Sequence, residues 1–334
     1  MLQMDGVIVG AGILGMLTGL EITKFFPELD LAILEKEKFV GEHSSSRNSG
    51  VLHAGIYYPF NSLKRKFCIE GNRLWYEIGE KIQIDIKKCG KYLIAINEDE
   101  IPLLEQLFDQ ANENHVKNIS WVKPHEIDRL KKIINVKKAF FSGETGVIDL
   151  GHVIKTAEDL VFKRNIPILK EHEVLNIRKN KKKIIVETKN EVIETKFLVN
   201  ACGLDSIKIR KKIGLTDLEE YFVKGYYLKY LGDIECSSLI YPIPDKNLKG
   251  LGIHTSFDSD GSIRFGPNAF EVKKVDYEMT DELIKNKMIE TISKIYKDID
   301  VKKLHLDYSG IRSKIKCDGK YYGDFWIKGP RDLG

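Results

Sequence analysis

The chain has 334 residues, of which 43% are hydrophobic and 31% charged, and its formal net charge is +4. This composition excludes wholesale disorder, and the length allows two domains with buried cores. Because the net charge is small and no aromatic residues interleave the lysine clusters, we expect no nucleic-acid partner.

The cysteine pattern indicates the compartment. Five cysteines are scattered at positions 68, 89, 202, 236 and 317, with no C-x-x-C pair. This pattern favours reduced thiols in a cytoplasmic protein over a disulfide framework or a zinc site, so we expect no metal. No apolar run is long enough to span a membrane. Val7–Leu20 lacks the basic leader of a signal peptide.

The first forty residues carry the pattern of a dinucleotide-binding unit. The apolar run Asp5–Gly10 leads into Gly10, Gly12 and Gly15 at G-x-G-x-x-G spacing, and apolar residues at helical spacing follow. About twenty residues on, a second apolar run ends at Glu35. Glycines at these positions permit a tight turn and close approach to a pyrophosphate, and the acid can accept hydrogen bonds from a ribose. We predict a dinucleotide site here.

The next stretch, Ser44–Pro59, favours FAD over NAD. An NAD-binding unit would continue its strand–helix alternation at once. Here the second strand is followed instead by an irregular segment that contains Arg47, His53, Tyr57 and Tyr58. It lies where the ribityl chain and ring of a flavin would fall if the adenosine sits at Glu35. A polar loop followed by an edge strand is the alternative interpretation of this stretch.

Apolar spacing predicts mixed helices and strands in the rest of the chain. Ser62 is the expected N-cap of the first helix. Lys179–Lys183 separates two β-branched runs and predicts a hairpin turn, as does Asp258–Gly261. Cys202 ends a buried strand and is expected to pack, not to act as a nucleophile. The predicted helices are Ser62–Lys81, Asp99–His115, Lys123–Ile134, Leu150–Asn165 and Asp281–Tyr296. The predicted strands are Lys88–Ala95, Glu173–Ile177, Ile184–Thr188, Phe197–Asn200, Tyr221–Tyr230, Ser238–Ile243, Lys249–Phe257, Ser262–Phe265, Asp307–Arg312 and Tyr321–Lys328.

Several motifs in a fixed order resemble one family. The sequence is similar over almost its whole length to the FAD-dependent oxidoreductases of the D-amino-acid oxidase-like superfamily. Within that superfamily it resembles the L-2-hydroxyglutarate dehydrogenase/oxidase family. The general motifs are Val9–Gly15, Glu35–Glu37, Asn200–Gly203 and Gly310–Arg312; the more specific ones are Arg47–Tyr58, Ser62–Lys64, Cys89–Lys91, Thr145–Asp149 and Gly266–Ala269.

The resemblance implies oxidation of L-2-hydroxyglutarate to 2-oxoglutarate, with electrons passed to a quinone or to oxygen. If the acceptor is a quinone, we expect the cytoplasmic protein to make peripheral contact with the inner face of the membrane. Oxidising a 2-hydroxy acid requires a base for the hydroxyl proton, and histidine suits that task near neutral pH. The candidates are His53 and His254, which the sequence does not rank. Either one is alternatively a core or flavin-contacting residue, and in relatives a histidine near this position can bond covalently to the flavin.

A substrate with two carboxylates calls for at least one guanidinium. Arg312, in Gly-Ile-Arg, matches the position where superfamily members bind a substrate carboxylate. Lys64, Tyr57 and Tyr58 are the candidates for the second carboxylate. The candidate cofactor-binding residues are Gly10, Gly12, Ile13, Leu14, Gly15, Glu35, Lys36, Arg47, Asn48, Ser49, Gly50, Val174, Ala201 and Gly203.

The expected fold class is α/β, α+β overall. A Rossmann-like FAD-binding domain (1–85, 146–218 and 305–334) is interleaved with a mainly antiparallel-sheet substrate domain (86–145 and 219–304). Family members continue with a strand and a Gly/Ser/Pro turn that opens a last helix facing the flavin. The printed chain ends at Gly334, so we expect that closing segment to be missing.

Two other functions fit the same residues. One is an amino-acid or amine oxidase of the same superfamily, of glycine or sarcosine type, which would attack a C–N bond. The other is an inactive, truncated remnant that binds flavin, an alternative motivated by the missing closing segment. Reduction of the flavin by L-2-hydroxyglutarate, and not by amino acids, separates the three.

Overall fold

The computed structural model describes residues 1–180, 182–243, 252–258 and 260–333, the last without its side chain. None of the helices in these ranges is both long enough and apolar enough to cross a membrane. The helices are α1 (Ile13–Phe25), α2 (Leu63–Lys81), α3 (Ile101–Glu113), α4 (Pro124–Leu130), α5 (Leu150–Lys163), α6 (Ser206–Lys212), α7 (Glu282–Ile295) and α8 (Pro330–Leu333). The strands are β1 (Leu2–Val9), β2 (Leu31–Leu34), β3 (Val51–Leu52), β4 (Ile86–Lys87), β5 (Lys91–Ala95), β6 (Ile119–Trp121), β7 (Lys138–Ser142), β8 (Gly146–Ile148), β9 (Ile168–Leu169), β10 (Val174–Asn180), β11 (Lys183–Thr188), β12 (Val192–Asn200), β13 (Leu218–Tyr230), β14 (Leu239–Pro242), β15 (His254–Phe257), β16 (Ile263–Gly266), β17 (Phe270–Val272), β18 (Leu304–Cys317) and β19 (Lys320–Tyr322).

The first sheet is the nucleotide-binding unit that the N-terminal pattern predicts. Its order is β10-β11-β12-β1-β2-β9, in which β12, β1, β2 and β9 run parallel. β1 is apolar and buried at its carboxyl end, as expected of a strand covered on both faces. β12 returns beside β1, with Phe197 opposite Gly6 and Asn200 opposite Val9. The predicted strand Phe197–Asn200 is therefore confirmed as part of this sheet.

A second sheet is antiparallel throughout and has the order β15-β16-β13-β18-β19, with β17 also paired to β13. Its two long strands, β13 and β18, pair from Leu218 opposite Cys317 to Tyr230 opposite Leu304. A third sheet has the order β14-β5-β7-β6, and β3, β8 and β4 form a small fourth one.

One predicted strand has a different partner from the one expected. Ser238–Ile243 was predicted to join its sequence neighbours in the antiparallel sheet, whereas β14 pairs parallel with β5 in the third sheet. An alternating or apolar run identifies a strand but carries no information on which strand it pairs with. Of the predicted strand Lys249–Phe257, residues 249–251 lie outside the described part of the chain. Residues 254–257 form β15.

Most helix boundaries follow the local signals. The side-chain oxygen of Ser62 accepts a hydrogen bond from Arg65 N and caps α2, as predicted.

The hairpin predicted at Lys179–Lys183 joins β10 to β11, although residue 181 lies outside the described ranges. The predicted strand Tyr321–Lys328 is wrong beyond Tyr322, because only β19 pairs there. Aromatic residues and Ile327 give that segment a strand signal, but beyond Tyr322 it pairs with no strand among the described residues.

The second and third sheets share one core. Met288, Ile292 and Ile295 of α7 pack in one cluster with Leu228 of β13 and Ile94 of β5. The division of the chain into an FAD-binding and a substrate domain stays a prediction. Most of β18 falls in the predicted FAD-binding domain, and almost all of β13 falls in the predicted substrate domain. The two strands nevertheless pair along the whole length of β18.

A close backbone contact joins β18 to the segment that follows the nucleotide-binding unit. A Cβ atom at Gly310 would overlap the carbonyl oxygen of Arg47. Around it, Ser44 Oγ donates to Ile311 O at 3.1 Å, and Tyr308 Oη donates to Asn48 O at 2.7 Å. The segment 44–48 therefore lies directly along β18, and glycine at position 310 is what permits the approach.

We expect Gly310→Ala to destabilise the protein by about 1–3 kcal/mol, the usual cost of overpacking against atoms that do not yield. Gly71→Ala is the matched control, since a Cβ there meets nothing within 4 Å. Gly71 lies within α2, so alanine should stabilise by up to about 1 kcal/mol. Urea unfolding followed by circular dichroism measures both. Equal effects of the two substitutions would contradict this account of the contact.

Candidate active site and cofactor cavity

The carboxyl ends of β1, β2 and β12 open into a cavity of about 240 Å³. This is where an open α/β sheet places a ligand, next to the N-terminus of the first helix. The residues from the predicted cofactor set that line it are Gly10, Gly12, Leu14, Glu35, Lys36, Val174, Ala201 and Gly203.

Glycines shape the mouth of this cavity. Gly10 has φ +105°, a value that L side chains rarely adopt, and a Cβ at Gly15 would overlap Gly10 O. A Cβ at Gly12 would lie 2.9 Å from Ser45 Oγ. Ile13 N, at the start of α1, donates to the same oxygen at 3.1 Å. Each glycine therefore keeps space open or lets helix and strand touch, as the spacing predicts.

Glu35 is buried and held in one orientation. One carboxylate oxygen accepts a hydrogen bond from Ala11 N at 2.9 Å, and the other accepts from Glu37 N at 3.0 Å. A carboxylate offers about four acceptor directions, so capacity remains for ribose hydroxyls. Beside it, Lys36 forms an ion pair with Asp205 at 2.8 Å.

Some residues of the cavity were not predicted. His172, Glu173 and Lys208 line it, and His172 N donates to Glu35 O at 2.7 Å. No motif marks these positions, because they come from the chain between β9 and β10 and from α6. Cys202 also lines the cavity; its Sγ contacts Val9 O, and burial raises the pKa of its thiol.

The segment 44–50 continues from the first cavity to a second one of about 410 Å³. Asn48, Ser49 and Gly50, all predicted cofactor residues, line the second cavity. The guanidinium of Arg47 lies 4.1 Å from the centre of the Tyr277 ring, and its Nε donates to Glu42 O. These residues fit an FAD. The glycines and the N-terminus of α1 suit the pyrophosphate, Glu35 suits a ribose, and the polar segment 44–50 suits the part of the cofactor beyond the pyrophosphate.

A second group of side chains is built around Tyr241, which is fully buried. Its ring stacks on His254 at 3.9 Å between centroids and meets the edge of His53 at 6.2 Å. The ammonium of Lys91 lies 4.5 Å from the centre of the same ring and 4.7 Å from that of Tyr57. We call these five residues the tyrosine–lysine cluster.

Strand pairing brings the cluster together. Lys91 begins β5 and lies opposite Leu239 of β14, so Tyr241, two residues further along, faces the same side. The hydroxyl of Thr255 accepts a hydrogen bond from Ile240 N at 2.7 Å, which fastens β15 to β14 and places His254 beside Tyr241. Residues 150 positions apart thus meet on one face of a sheet.

Side-chain amides hold the loop that carries His53, Tyr57 and Tyr58. Asn114 Nδ2 donates to Gly55 O at 3.0 Å and to Tyr58 O at 2.9 Å. Gln110 Nε2 donates to Ile56 O at 2.9 Å. The loop is therefore anchored to α3 and the turn that follows it, which fixes the rings on the cluster side.

Both histidines of the cluster are neutral at ordinary pH. Burial, with the positive charge of Lys91, lowers the pKa of His53 well below its usual value and that of His254 to about 3. His254 Nδ1 lies 3.0 Å from Gly252 O; a carbonyl only accepts, so Nδ1 carries the proton and Nε2 the lone pair. His254 Nε2 and His53 Nδ1 are buried and lack a hydrogen-bond partner among the described residues.

Lys91 and the tyrosines are shifted by the same burial. The pKa of Lys91 falls to about 7, because its ammonium is fully buried. The pKa values of Tyr57 and Tyr241 rise, and that of Tyr58 rises to about 12. A buried amine, two imidazoles and phenols with displaced pKa values mark this cluster as a candidate active site.

Two of the predicted carboxylate-binding residues, Arg312 and Lys64, have different surroundings. Arg312 lies on β18 and is exposed, and its charge contributes to the lowered pKa of His254. Lys64 Nζ donates to Gly323 O at 2.6 Å and sits near Asp324, whose carboxylate accepts from Leu63 N and Lys64 N. Lys64 thus has protein partners, whereas Arg312 lies within electrostatic range of His254 in the cluster.

Sequence reasoning did not single out Lys91 or Tyr241. Lys91 appeared only within the family motif Cys89–Lys91. A usable signal was present, because a lysine opens the apolar strand Lys91–Ala95 directly after Gly90, at a position that a buried strand normally fills with an apolar residue.

Residues 5–330 match the family described as DAO, FAD dependent oxidoreductase. The chain is 35% identical over 274 residues to the mitochondrial L-2-hydroxyglutarate dehydrogenase of Caenorhabditis briggsae, covering 79% of this chain and 63% of that protein. It is 30% identical over 381 residues to the mitochondrial L-2-hydroxyglutarate dehydrogenase of Arabidopsis thaliana, covering 99% of this chain and 77% of that protein. The chain therefore spans less than two thirds of the nematode protein.

A solved structure shows the same fold. The L-alpha-glycerophosphate oxidase of Mycoplasma pneumoniae, with FAD bound, superposes with a TM-score of 0.86 at 22% sequence identity. The superposition covers 96% of this chain and 85% of that chain. It confirms the predicted α/β fold class.

Lys91→Met should stabilise the substrate-free protein, more at low pH than at high pH. The pKa of Lys91 is about 7 in the folded chain against an ordinary value of 10.5. Between pH 7 and pH 10.5 the unfolded chain binds more protons at Lys91 than the folded chain does, so the free energy of unfolding rises with pH. The destabilisation by Lys91 is therefore largest below pH 7. The gain should be larger at pH 6 than at pH 10 by up to about 4 kcal/mol.

Chemical unfolding at the two pH values measures this difference. Lys155→Met, at an exposed lysine of α5, is the control and should show no comparable pH dependence. A gain for Lys91→Met that is the same at pH 6 and pH 10 would mean that the amine is not desolvated as described.

Proposed function

The chain belongs to the family of FAD dependent oxidoreductases, and from this premise we propose that it oxidises L-2-hydroxyglutarate to 2-oxoglutarate. FAD is the cofactor, as predicted. The observation that carries the proposal is a pair of neutral, buried imidazoles, one of which, His254, lies within electrostatic range of the exposed guanidinium of Arg312. The two relatives named above, L-2-hydroxyglutarate dehydrogenases, support the choice of substrate.

The reaction removes two hydrogens from the substrate. The C2–H bond breaks with its electron pair, the O–H bond loses a proton, and the C–O bond becomes a carbonyl. Bound FAD supplies the acceptor for the hydride equivalent. Gly10, Gly12, Glu35 and the segment 44–50, which line the two cavities, would hold it.

Arg312 is proposed to bind the carboxylate next to C2. A guanidinium presents paired N–H donors to a carboxylate, which fixes both the position and the rotation of the group. Gly310 and Ile311, buried against the segment 44–48, hold the strand that carries it. In the proposed function, Arg312 therefore fixes the position of the carboxylate from which C2 extends.

His53 or His254 is proposed to take the hydroxyl proton. Each presents a buried ring nitrogen without a hydrogen-bond partner among the described residues, and each is neutral before substrate arrives. Positive charge from Lys91 lowers the pKa of both, and Arg312 adds to the effect at His254. A bound carboxylate offsets that charge, which raises the imidazole pKa and makes the ring a stronger base when substrate is present.

A quinone or oxygen is proposed as the final electron acceptor. The described residues show no site for either. A quinone would bring the protein into peripheral contact with the inner face of the membrane, whereas oxygen would not, so the two acceptors imply different locations in the cell.

The direct test is anaerobic mixing of the purified flavoprotein with L-2-hydroxyglutarate. We expect the flavin absorbance near 450 nm to be lost and one equivalent of 2-oxoglutarate to form, since the enzyme takes two electrons per substrate. Glycine and sarcosine are the comparison substrates. Bleaching by either amine but not by L-2-hydroxyglutarate would replace this function with oxidation of a C–N bond.

The base is identified by His53→Gln and His254→Gln. Loss of the general base should lower kcat by about 10²–10⁴-fold, and loss of a merely packed histidine by much less. Primary deuterium isotope effects on flavin reduction, measured with 2-²H substrate, show whether chemistry limits each variant. If both variants keep kcat within a few fold, neither histidine is the base.

A further inference from the structure

Lys91 is a charged side chain without the partner that its burial requires. It has no exposed surface, and its Nζ has no hydrogen-bond partner among the described residues. An ammonium carries three N–H donors, and leaving them unpaired in a protein interior costs several kcal/mol in general. Buried ionisable groups of this kind cluster at functional sites, which makes Lys91 a candidate ligand-binding group.

The aromatic faces around Lys91 compensate for only part of this cost. The ammonium lies 4.7 Å from the ring centre of Tyr57 and 4.5 Å from that of Tyr241. Ring faces attract cations, yet they accept none of the N–H groups in the geometry of a hydrogen bond. The hydroxyls of these two tyrosines are also buried and unpaired among the described residues. The ammonium and the two hydroxyls are therefore three buried donor groups without partners in one cluster, an environment that favours an anion.

The position of Lys91 relative to Arg312 defines the shape of the anion. Both cations lower the pKa of His254, so both lie within electrostatic range of one imidazole. Arg312 is exposed, whereas Lys91 is fully buried. Two positive groups therefore lie within range of His254, of which Arg312 is open to solvent and Lys91 is closed off from it. A molecule with a carboxylate at each end fits this arrangement, and a molecule with one carboxylate leaves Lys91 unpaired.

We propose that Lys91 binds the carboxylate remote from C2 and so makes the site selective for 2-hydroxy dicarboxylic acids over 2-hydroxy monocarboxylic acids. The proposal rests on the function proposed above and deepens it. Tyr57 and Tyr241 donate their hydroxyls to the same carboxylate. Tyr57 is one of the three sequence-based candidates for this role, whereas Lys64, another of them, donates to Gly323 O.

Binding is tested first with a pair of unreactive acids on the FAD-loaded protein. Glutarate and pentanoate have five carbons each and differ only in the second carboxylate. Titration calorimetry should show glutarate binding at least 10-fold more tightly, because a buried ammonium left unpaired costs affinity. Lys91→Met should weaken glutarate about 10²-fold and leave pentanoate within 3-fold. Lys88→Met, at an exposed lysine three residues earlier, is the matched control.

Catalysis is tested with L-2-hydroxyglutarate and L-2-hydroxypentanoate. Lys91→Met should lower kcat/KM about 10²-fold for the dicarboxylate alone, so the preference disappears. An equal fall in kcat for both substrates would assign Lys91 to the shared chemistry and overturn the proposal. A loss of selectivity in Lys64→Met, with none in Lys91→Met, would overturn it as well.

The two proposals fail in different ways. If L-2-hydroxyglutarate does not reduce the flavin but glutarate binding depends on Lys91, the proposed function fails and the dicarboxylate site stands. If L-2-hydroxyglutarate is oxidised and Lys91→Met keeps its selectivity, the site assignment fails alone.

The wild-type protein offers a test that does not depend on the folding of a variant. The preference for glutarate over pentanoate should fall at least 10-fold from pH 6 to pH 9, as free Lys91 loses its proton. A constant preference would contradict the proposal. The ionisable groups around Lys91 do not change charge between pH 6 and pH 9 in the free protein. The pKa values of His53 and His254 are lowered, so both stay neutral. The pKa values of Cys68, Tyr57 and Tyr241 are raised, so these groups stay neutral as well.

Discussion

The contact between Gly310 and the Arg47 carbonyl is the constraint on which the rest of the site depends. It lets β18 of the antiparallel sheet lie along the segment 44–48, which itself leaves the nucleotide-binding sheet. Arg312 is two residues from this contact, and Ser45, which receives the amide of Ile13, is two residues from Arg47. The contact thus joins the antiparallel sheet to the segment that borders both cavities. A side chain at position 310 would separate them.

Burial of positive charge gives the site its chemical character. The electrostatic cost of holding Lys91 and two imidazoles in an apolar surrounding keeps the histidines neutral and the lysine weakly basic. Under the proposed function, a bound carboxylate offsets the positive charge of Lys91 that contributes to both histidine shifts, and so raises the histidine pKa values.

Local signals predicted a large part of the fold. The strand–glycine–helix–strand–acid order placed Gly10, Gly12 and Glu35 at one cavity, because each of these features acts within about thirty residues of chain. Capping by Ser62 and the hairpin between β10 and β11 followed for the same reason. The resemblance to a family of FAD-dependent enzymes added the cofactor. The cofactor roles of the individual residues stay predictions.

The sequence by itself determined the nucleotide-binding unit, most helices and the identity of the cofactor. Only the tertiary structure decided that β14 pairs with β5, and hence that Lys91 and Tyr241 face the two histidines. The physical reason is that periodicity reports backbone conformation and the face that a residue presents. Pairing between strands 150 residues apart depends on packing of the whole core, and no local pattern encodes it.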